Sequence, residues 1–510
     1  MTQDAAHPFS LARARSALWH FALGKFASAF TGVALLVLLA RHLPESDYGV
    51  YVTLVALLEV LLLVTNAGAY PIAQRYVTEA RLQQNAGRLV SLCWRSVAYR
   101  AFTLLVAIGV LAAVGASLLP RIGLKDALPF ILLYSGVIFG EGVARYVELI
   151  LESLLQQRFA QASALLRNVV RCGLLAICVF GLGVGLDLKS VVWVDLAGAT
   201  LGLLVAPMLL HRYLRALNLA AAERLSAAEV RRMGAFVFPF WVAQLMTQVY
   251  SPDTLKLLLA RVAQAAEVGA FGLAHVLSQM LQRYLPAQLL LAWLRPLFVS
   301  RHADGQPLHE QVRAANLVLK INHFLLAPLI AWLALDSAFV VRMVAGGKHE
   351  GAAVLLVGLA GLLILQGLHV VLSMLATAVE EQRAVLWGTF AAAPSLGLAL
   401  VLFPWLGTPG LVVALWLSEI LYCTVCTLRL RHIGVPMNIE LGAWLKLAVA
   451  AVSAAGTAHL VVRGQGMAAA ALRGAVVLVA YLSLCALLKA FAPAERATIN
   501  RFLPRPMFVF

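Results

Sequence analysis

Four ionisable residues stand at helical spacing inside one apolar run: Glu141, Arg145, Glu148 and Glu152, at i, i+4, i+7 and i+11. At 3.6 residues per turn they form a single stripe. A charge facing lipid costs roughly 2.5–3.5 kcal/mol on insertion scales, so such a stripe must face an interior, a cavity or a partner. Its chemistry is charge pairing rather than bond breaking. Guanidinium and ammonium groups hold phosphates or carboxylates, and carboxylates hold cations or protons. Two arrangements satisfy the spacing: a wall lining a cavity, or an ion-pair ladder that only fixes helix packing. A later segment repeats the stripe, at an offset near 225, in uncharged form: Gln366, His369, Ser373 and Thr377.

Other polar residues inside apolar runs extend the inventory. Lys25 shares a face with Ser28 and Gly32, and Glu59 shares one with Asn66. Arg167 and Arg171 are one turn apart, with Arg167 placed to snorkel towards the membrane surface and Arg171 deeper. Gln244, Gln248 and Ser251 precede Pro252, Asp253 and Lys256; His275, Gln279 and Arg283 follow, then Lys320 and His323. For Arg283 and Lys320 a surface snorkel is the alternative to a cavity position. The candidate anion-holding cations are therefore Lys25, Arg145, Arg171, Lys256 and Arg283. Glu59, Glu141, Glu148, Asp253, Gln366 and His369 are candidates to balance them or to couple to protons or sodium.

The elements that position these residues follow from composition. The chain has 510 residues, 62% of them hydrophobic and 13% charged, with a mean hydropathy of +0.87. A soluble fold has too much surface to cover with so few polar groups. Apolar runs of about 20 residues recur along the whole length, and that is the spanning length of a bilayer. The reading is an all-α polytopic membrane protein with about fourteen transmembrane helices. The spans run over 16–40, 48–69, 97–118, 127–151, 162–183, 191–211, 235–259, 267–294, 316–337, 351–376, 384–403, 408–428, 440–462 and 470–490. The first run is too long for a cleavable signal and is expected to stay as a helix.

The net charge of +16 is spread over loops rather than gathered in a soluble basic domain, which excludes nucleic-acid binding. Loops after even-numbered spans are rich in arginine, such as Arg75, Arg81, Arg88 and Arg95, and those after odd-numbered spans are poor. By the positive-inside rule both termini then face the cytoplasm. Cys423 and Cys426, inside a span, read as small residues on a helix face rather than a redox or metal pair. The glycines of Gly198-x-x-x-Gly202 read as close helix packing. Pro239, Pro252 and Pro286 are positioned to bend or break helices.

An internal repeat organises the spans. Leu39-Ala40-Arg41 returns as Leu259-Ala260-Arg261, Asp47 as Glu267, Gly49 as Gly269, Tyr51 as Phe271 and Glu59 as Gln279. Glu141-Gly142 returns as Gln366-Gly367, and Gln157-Arg158 as Gln382-Arg383. Six helices per repeat give two six-helix lobes in parallel repeat. The divisions are residues 1–211 for the N-lobe, 212–234 for a cytoplasmic linker that is either interfacial or solvated, and 235–430 for the C-lobe. Residues 431–490 add two C-terminal helices and 491–510 a cytoplasmic tail.

No Walker A sequence, zinc signature or nucleophile elbow is present, so transport fits better than catalysis. The first hairpin, LARHLPESDYGVYVTLVALLEVL, resembles the opening of Wzx-type polysaccharide flippases, with Ala-Arg-x-Leu, a short loop, and an acidic or aromatic residue before Gly-x-Tyr. The later segment LLLARVAQAAEVGAFGLAHVL is similar to their second-half stretch, with Phe271 where Tyr is usual. Asp253 and Lys256 stand near that family's adjacent Asp-Arg/Lys pair but are separated by two residues here. Fourteen spans is also the number in the lipid II flippases, whose characteristic amino-terminal sequence is not found here.

The resemblance covers roughly residues 16–430. It implies the multidrug/oligosaccharidyl-lipid/polysaccharide exporter superfamily, working by alternating access around a central cavity in a bacterial inner membrane. The implied substrate is an undecaprenyl-diphosphate-linked glycan for exopolysaccharide or O-antigen assembly. Membrane lipids are implied partners, with a polysaccharide polymerase and co-polymerase as further candidates. The alternatives are a cation-coupled multidrug exporter of the same superfamily and a membrane-embedded polysaccharide polymerase or ligase.

Overall fold

The computed structural model describes residues 11–82, 86–121, 125, 127–181, 185–216, 226–289, 308–379, 381–437, 440–502 and 508–510. Every regular element among them is helical. The chain divides into two compact units, Met1–Gly269 and Ala270–Phe510.

The first unit opens with the hairpin of α1 (Leu11–His42) and α2 (Glu45–Val64), then a short helical segment over 69–82 with a π-turn at Ile72–Val77. It continues through α3 (Ala86–Arg121), α4 (Leu128–Ser153), α5 (Gln157–Ala176), α6 (Leu188–Arg215), α7 (Ala227–Val249) and α8 (Pro252–Val262). The unit boundary falls inside α9 (Ala265–Gln282). The second unit holds α10 (Leu308–Ala345), α11 (Ala352–Ala378), α12 (Gln382–Ala392), α13 (Ser395–Leu406) and α14 (Thr408–His432). It ends with α15 (Leu441–Val461), α16 (Met467–Leu488) and α17 (Pro493–Phe502).

Eleven helices are long and apolar enough to span a membrane, and Ala27–His42 is a shorter apolar one, counted among the described residues. Three predicted spans fall short of that mark. The described apolar part of the first is only sixteen residues long. The seventh is cut in two at Ser251-Pro252; the eighth is interrupted after Gln282 and helical again over Pro286–Leu289, with 290–294 outside the described residues. The cut has a local cause. Ser251 caps α8 by accepting the Thr254 amide at 3.2 Å, and Pro252 occupies the first turn, where its missing N–H costs nothing. Pro239 lies within continuous α7, so it does not break that helix. Most of the predicted linker is divided between helices: 212–215 extend α6, 227–234 open α7, and 217–225 lie outside the described residues.

Lipid tails are as apolar as leucine, so close packing and polar ties hold such helices together. In the first unit α4 meets α6 where a Cβ on Gly140 would stand 2.8 Å from the Ala199 carbonyl oxygen. The corresponding pair in the second unit, α11 and α14, packs Gly358 against Val412 and Gly361 against Trp416. The repeated hairpin residues are equally structural. Asp47 accepts the Leu188 amide at the start of α6 (3.3 Å), and a Cβ on Gly49 would run into the Ala265 backbone.

Candidate functional site

In the first unit the stripe on α4 is the centre of an ion network. Glu141 Oε2 accepts from Arg145 Nε at 2.8 Å one turn along, and from Arg167 Nη1 of α5 at 2.7 Å. Its other oxygen is 2.6 Å from Arg171 Nη2. Arg167 also donates to Glu148 (2.8 Å), and Arg171 Nε lies 3.4 Å from Asp195 of α6. Arg145 reaches the other way, to Glu59 of α2 at 2.8 Å. Three arginines and four carboxylates thus tie α2, α4, α5 and α6 together.

Burial divides this network into two parts. The side chain of Glu141 is 3% exposed and that of Arg167 7%, whereas Arg145 and Glu59 are each 36% exposed. The inner part is packing; Arg167 does not snorkel, because two buried carboxylates hold it. Gly198 and Gly202 make room for this arrangement rather than for a neighbouring backbone. A Cβ at either position would collide with the side chain of Arg171 or Arg167. The outer pair opens onto a cavity of about 180 Å³, lined also by Asn66, Tyr70, Gln244, Gln248 and Asp253. Asn66 donates to Gln244 across that wall at 2.8 Å.

The cavity borders a helix break, with Leu63 and Asn66 on its wall. α2 ends at Val64, and Ala67 and Gly68 take positive φ (41° and 80°) before the chain becomes helical again. A Cβ at Gly68 would also strike the Val237 side chain, so glycine is needed there twice over. Carbonyls freed inside a bilayer must find donors within the protein. Arg100 donates to Leu62 O (2.9 Å), Trp241 to Val64 O (3.0 Å), Tyr99 to Ala67 O (3.0 Å) and Tyr146 to Ala69 O (3.1 Å). Arg100 is fully buried, donating also to the Thr65 hydroxyl and lying over the Tyr70 ring.

The remaining sequence-predicted residues fall in separate places. Lys256 is buried on α8 and bonded to Asp253 at 2.7 Å. Arg283 sits in the exposed turn after α9. Lys25 lies on α1 with its side chain outside the described residues. In the second unit Gln366 accepts from Gln282 (3.0 Å), and His369 Nδ1 is 2.8 Å from Glu419 while its ring stacks on Tyr422 at 3.6 Å. Lys320 is buried rather than snorkelling; Glu495 of α17 holds it at 2.8 Å, and Glu440 is a second partner. Cys423 and Cys426 are buried free thiols.

Asp195, Glu419, Arg100 and the Asp336–Arg473 pair (2.9 Å from Arg473 Nε to Asp336 Oδ2) were not singled out by spacing, because none belongs to a helical stripe of charges in its span. The repeat carried a usable signal for one pair. Asp195 and Glu419 occupy corresponding helices, α6 and α14, at almost the offset that relates the two stripes.

Solved structures share this fold. "Lipid II flippase MurJ, inward closed conformation" is 11% identical, over 92% of this chain and 98% of that one, with a TM-score of 0.69. An inward-facing multidrug resistance MATE family transporter of the MOP superfamily is 13% identical, over 80% and 94%, with a TM-score of 0.65. An outward-facing MATE family transporter of that superfamily is 15% identical, over 83% and 95%, with a TM-score of 0.58. The fold is the one seen in these MurJ and MATE structures, and with eleven helices long and apolar enough to span a bilayer among the described residues this is a multi-pass membrane protein. Residues 14–301 match the family described as polysaccharide biosynthesis protein, and the chain belongs to that family. No curated protein sequence matches the chain.

Proposed function

We propose that the protein moves an undecaprenyl-diphosphate-linked oligosaccharide repeat from the cytoplasmic to the periplasmic leaflet of a bacterial inner membrane. It does so by alternating access, for exopolysaccharide or O-antigen assembly, with both termini in the cytoplasm. The observation that carries this reading is the half-exposed Arg145 at the cavity wall, tied to Glu59 and backed by buried ion pairs. A guanidinium so placed can exchange a carboxylate partner for a phosphate or a sugar acid without unfolding its surroundings.

Family membership supports polysaccharide chemistry. The wall's two carboxylates, Glu59 and Asp253, each already hold a cation, which disfavours a site for cationic drugs. The test is the lipid-linked oligosaccharide content of each leaflet in cells lacking the protein. Complete single repeats accumulating on the cytoplasmic side support flipping. Repeats that reach the periplasmic leaflet but fail to polymerise indicate a polymerase or ligase instead, and unchanged lipids return the drug-export reading.

A further inference from the structure

A second cavity in the first unit, of about 440 Å³, lies between α3 and α7 and belongs to none of the charge networks above. Its wall is apolar, formed by residues such as Leu92, Val230, Met233 and Val237, with Arg95 among the few polar groups. The cleft is pinned at both ends. Arg88 of α3 and Glu229 of α7 pair at 3.1 Å where both helices begin, and the Tyr99 and Trp241 bonds to the α2 break close the far end. Val230 and Phe238, 51% and 61% exposed, leave its side open. A spanning protein that holds such a cleft open presents it to acyl chains, and its size is in the range of small-molecule sites.

Charge says which end of a lipid goes where. Arg88 and Arg95 on α3, with Arg231 and Arg232 on α7, gather at the end where both helices start. That is the headgroup end under the positive-inside reading of these loops. We propose that this cleft is a binding site for one anionic phospholipid of the bilayer, its phosphate at Arg95 and one acyl chain between α3 and α7. The site stands apart from the Arg145 cavity and does not depend on the transported substrate.

Gly234 offers a clean test. It lines the cleft, and a Cβ there meets nothing within 4 Å, so Gly234→Leu fills the space from an α-helix that gains by the change. The full chain would be extracted with its native lipids and examined by native mass spectrometry, with added phosphatidylglycerol or phosphatidylcholine as probes. The wild type should retain one phosphatidylglycerol per chain. Gly234→Leu should lower that retention by roughly tenfold, and Arg95→Gln should erase the preference for phosphatidylglycerol over phosphatidylcholine. Melting temperatures within about 2 °C of wild type confirm that both variants are folded. Equal retention by wild type and Gly234→Leu overturns the proposal. So does displacement of the phospholipid by polyprenyl phosphate at roughly tenfold lower concentration, which would make the cleft part of the substrate's path.

Discussion

Arg171 of α5 occupies the space that Gly198 of α6 leaves: a Cβ at residue 198 would lie 2.6 Å from Arg171 Nε. The α5–α6 contact is therefore set by an arginine side chain in a glycine notch, with Asp195 one turn away to receive it. Gly198→Leu must push Arg171 off both Glu141 and Asp195. Overpacking of this kind costs about 1–3 kcal/mol, and displaced buried charges add to it. Thermal unfolding in detergent should show a clear drop for Gly198→Leu and almost none for Gly109→Ala, whose Cβ meets open space.

Arg167 and Arg145 separate structure from function within one network. Arg167→Met takes from the buried Glu148 its arginine and from Glu141 one of three, and removing one partner of a buried pair costs about 3–5 kcal/mol. Its signature is a loss of folded protein in the membrane. Arg145→Ala removes a half-exposed group whose removal leaves the inner pairs intact. It should leave the amount of membrane-inserted protein within about twofold of wild type, read by immunoblot of membrane fractions.

The helical nature of the chain and the existence of the α4 stripe were legible in sequence, because hydropathy and a 3.6-residue period are local signals. What was not legible is depth and partnership. Arg167 and Arg145 look alike in sequence, yet one is enclosed by two carboxylates and the other faces a cavity. Gly198 and Gly202 looked like a helix-packing motif, since nothing local says that arginines from α5 fill the notch. Asp336 and Arg473 pair across 137 residues, a separation at which single charges carry no pattern. The break at Ser251-Pro252 left a local trace, a serine before a proline, and Pro252 was legible as a possible break although the span was drawn straight across it.

Lys320 fastens the end of the chain to α10 through Glu495, beside an aromatic group in which Phe324 packs against Phe491, Phe508 and Phe510. Lys320→Met leaves two carboxylates without their cation. It should free α17, and limited proteolysis should cut after Arg496 at least several-fold faster than in wild type. Equal cleavage rates would show that the aromatic contacts alone hold α17.

Asp187 caps α6 by accepting the Ser190 amide at 3.0 Å, and the Ser190 hydroxyl is a further donor. These bonds, led by the Ser190 hydroxyl, hold its carboxyl below the usual carboxylate range. A group whose folded value is depressed stabilises the fold above its unfolded value, about pH 4, and loses that contribution as pH falls further. Asp187→Ala should lower stability by about 1 kcal/mol at neutral pH and by progressively less below about pH 4. Melting curves of both proteins across that range would show a fixed difference at every pH if the cap were not ionised.

The most direct test of the central claim is a transport measurement. Purified protein would be reconstituted into vesicles carrying an undecaprenyl-diphosphate-linked single repeat in one leaflet, and its appearance in the other followed with a glycan-cleaving enzyme outside. Wild type should move the lipid, and Arg145→Ala should move it at no more than roughly a tenth of that rate with equal protein inserted. Transfer by Arg145→Ala at the wild-type rate, or no transfer above protein-free vesicles by wild type, would contradict the account.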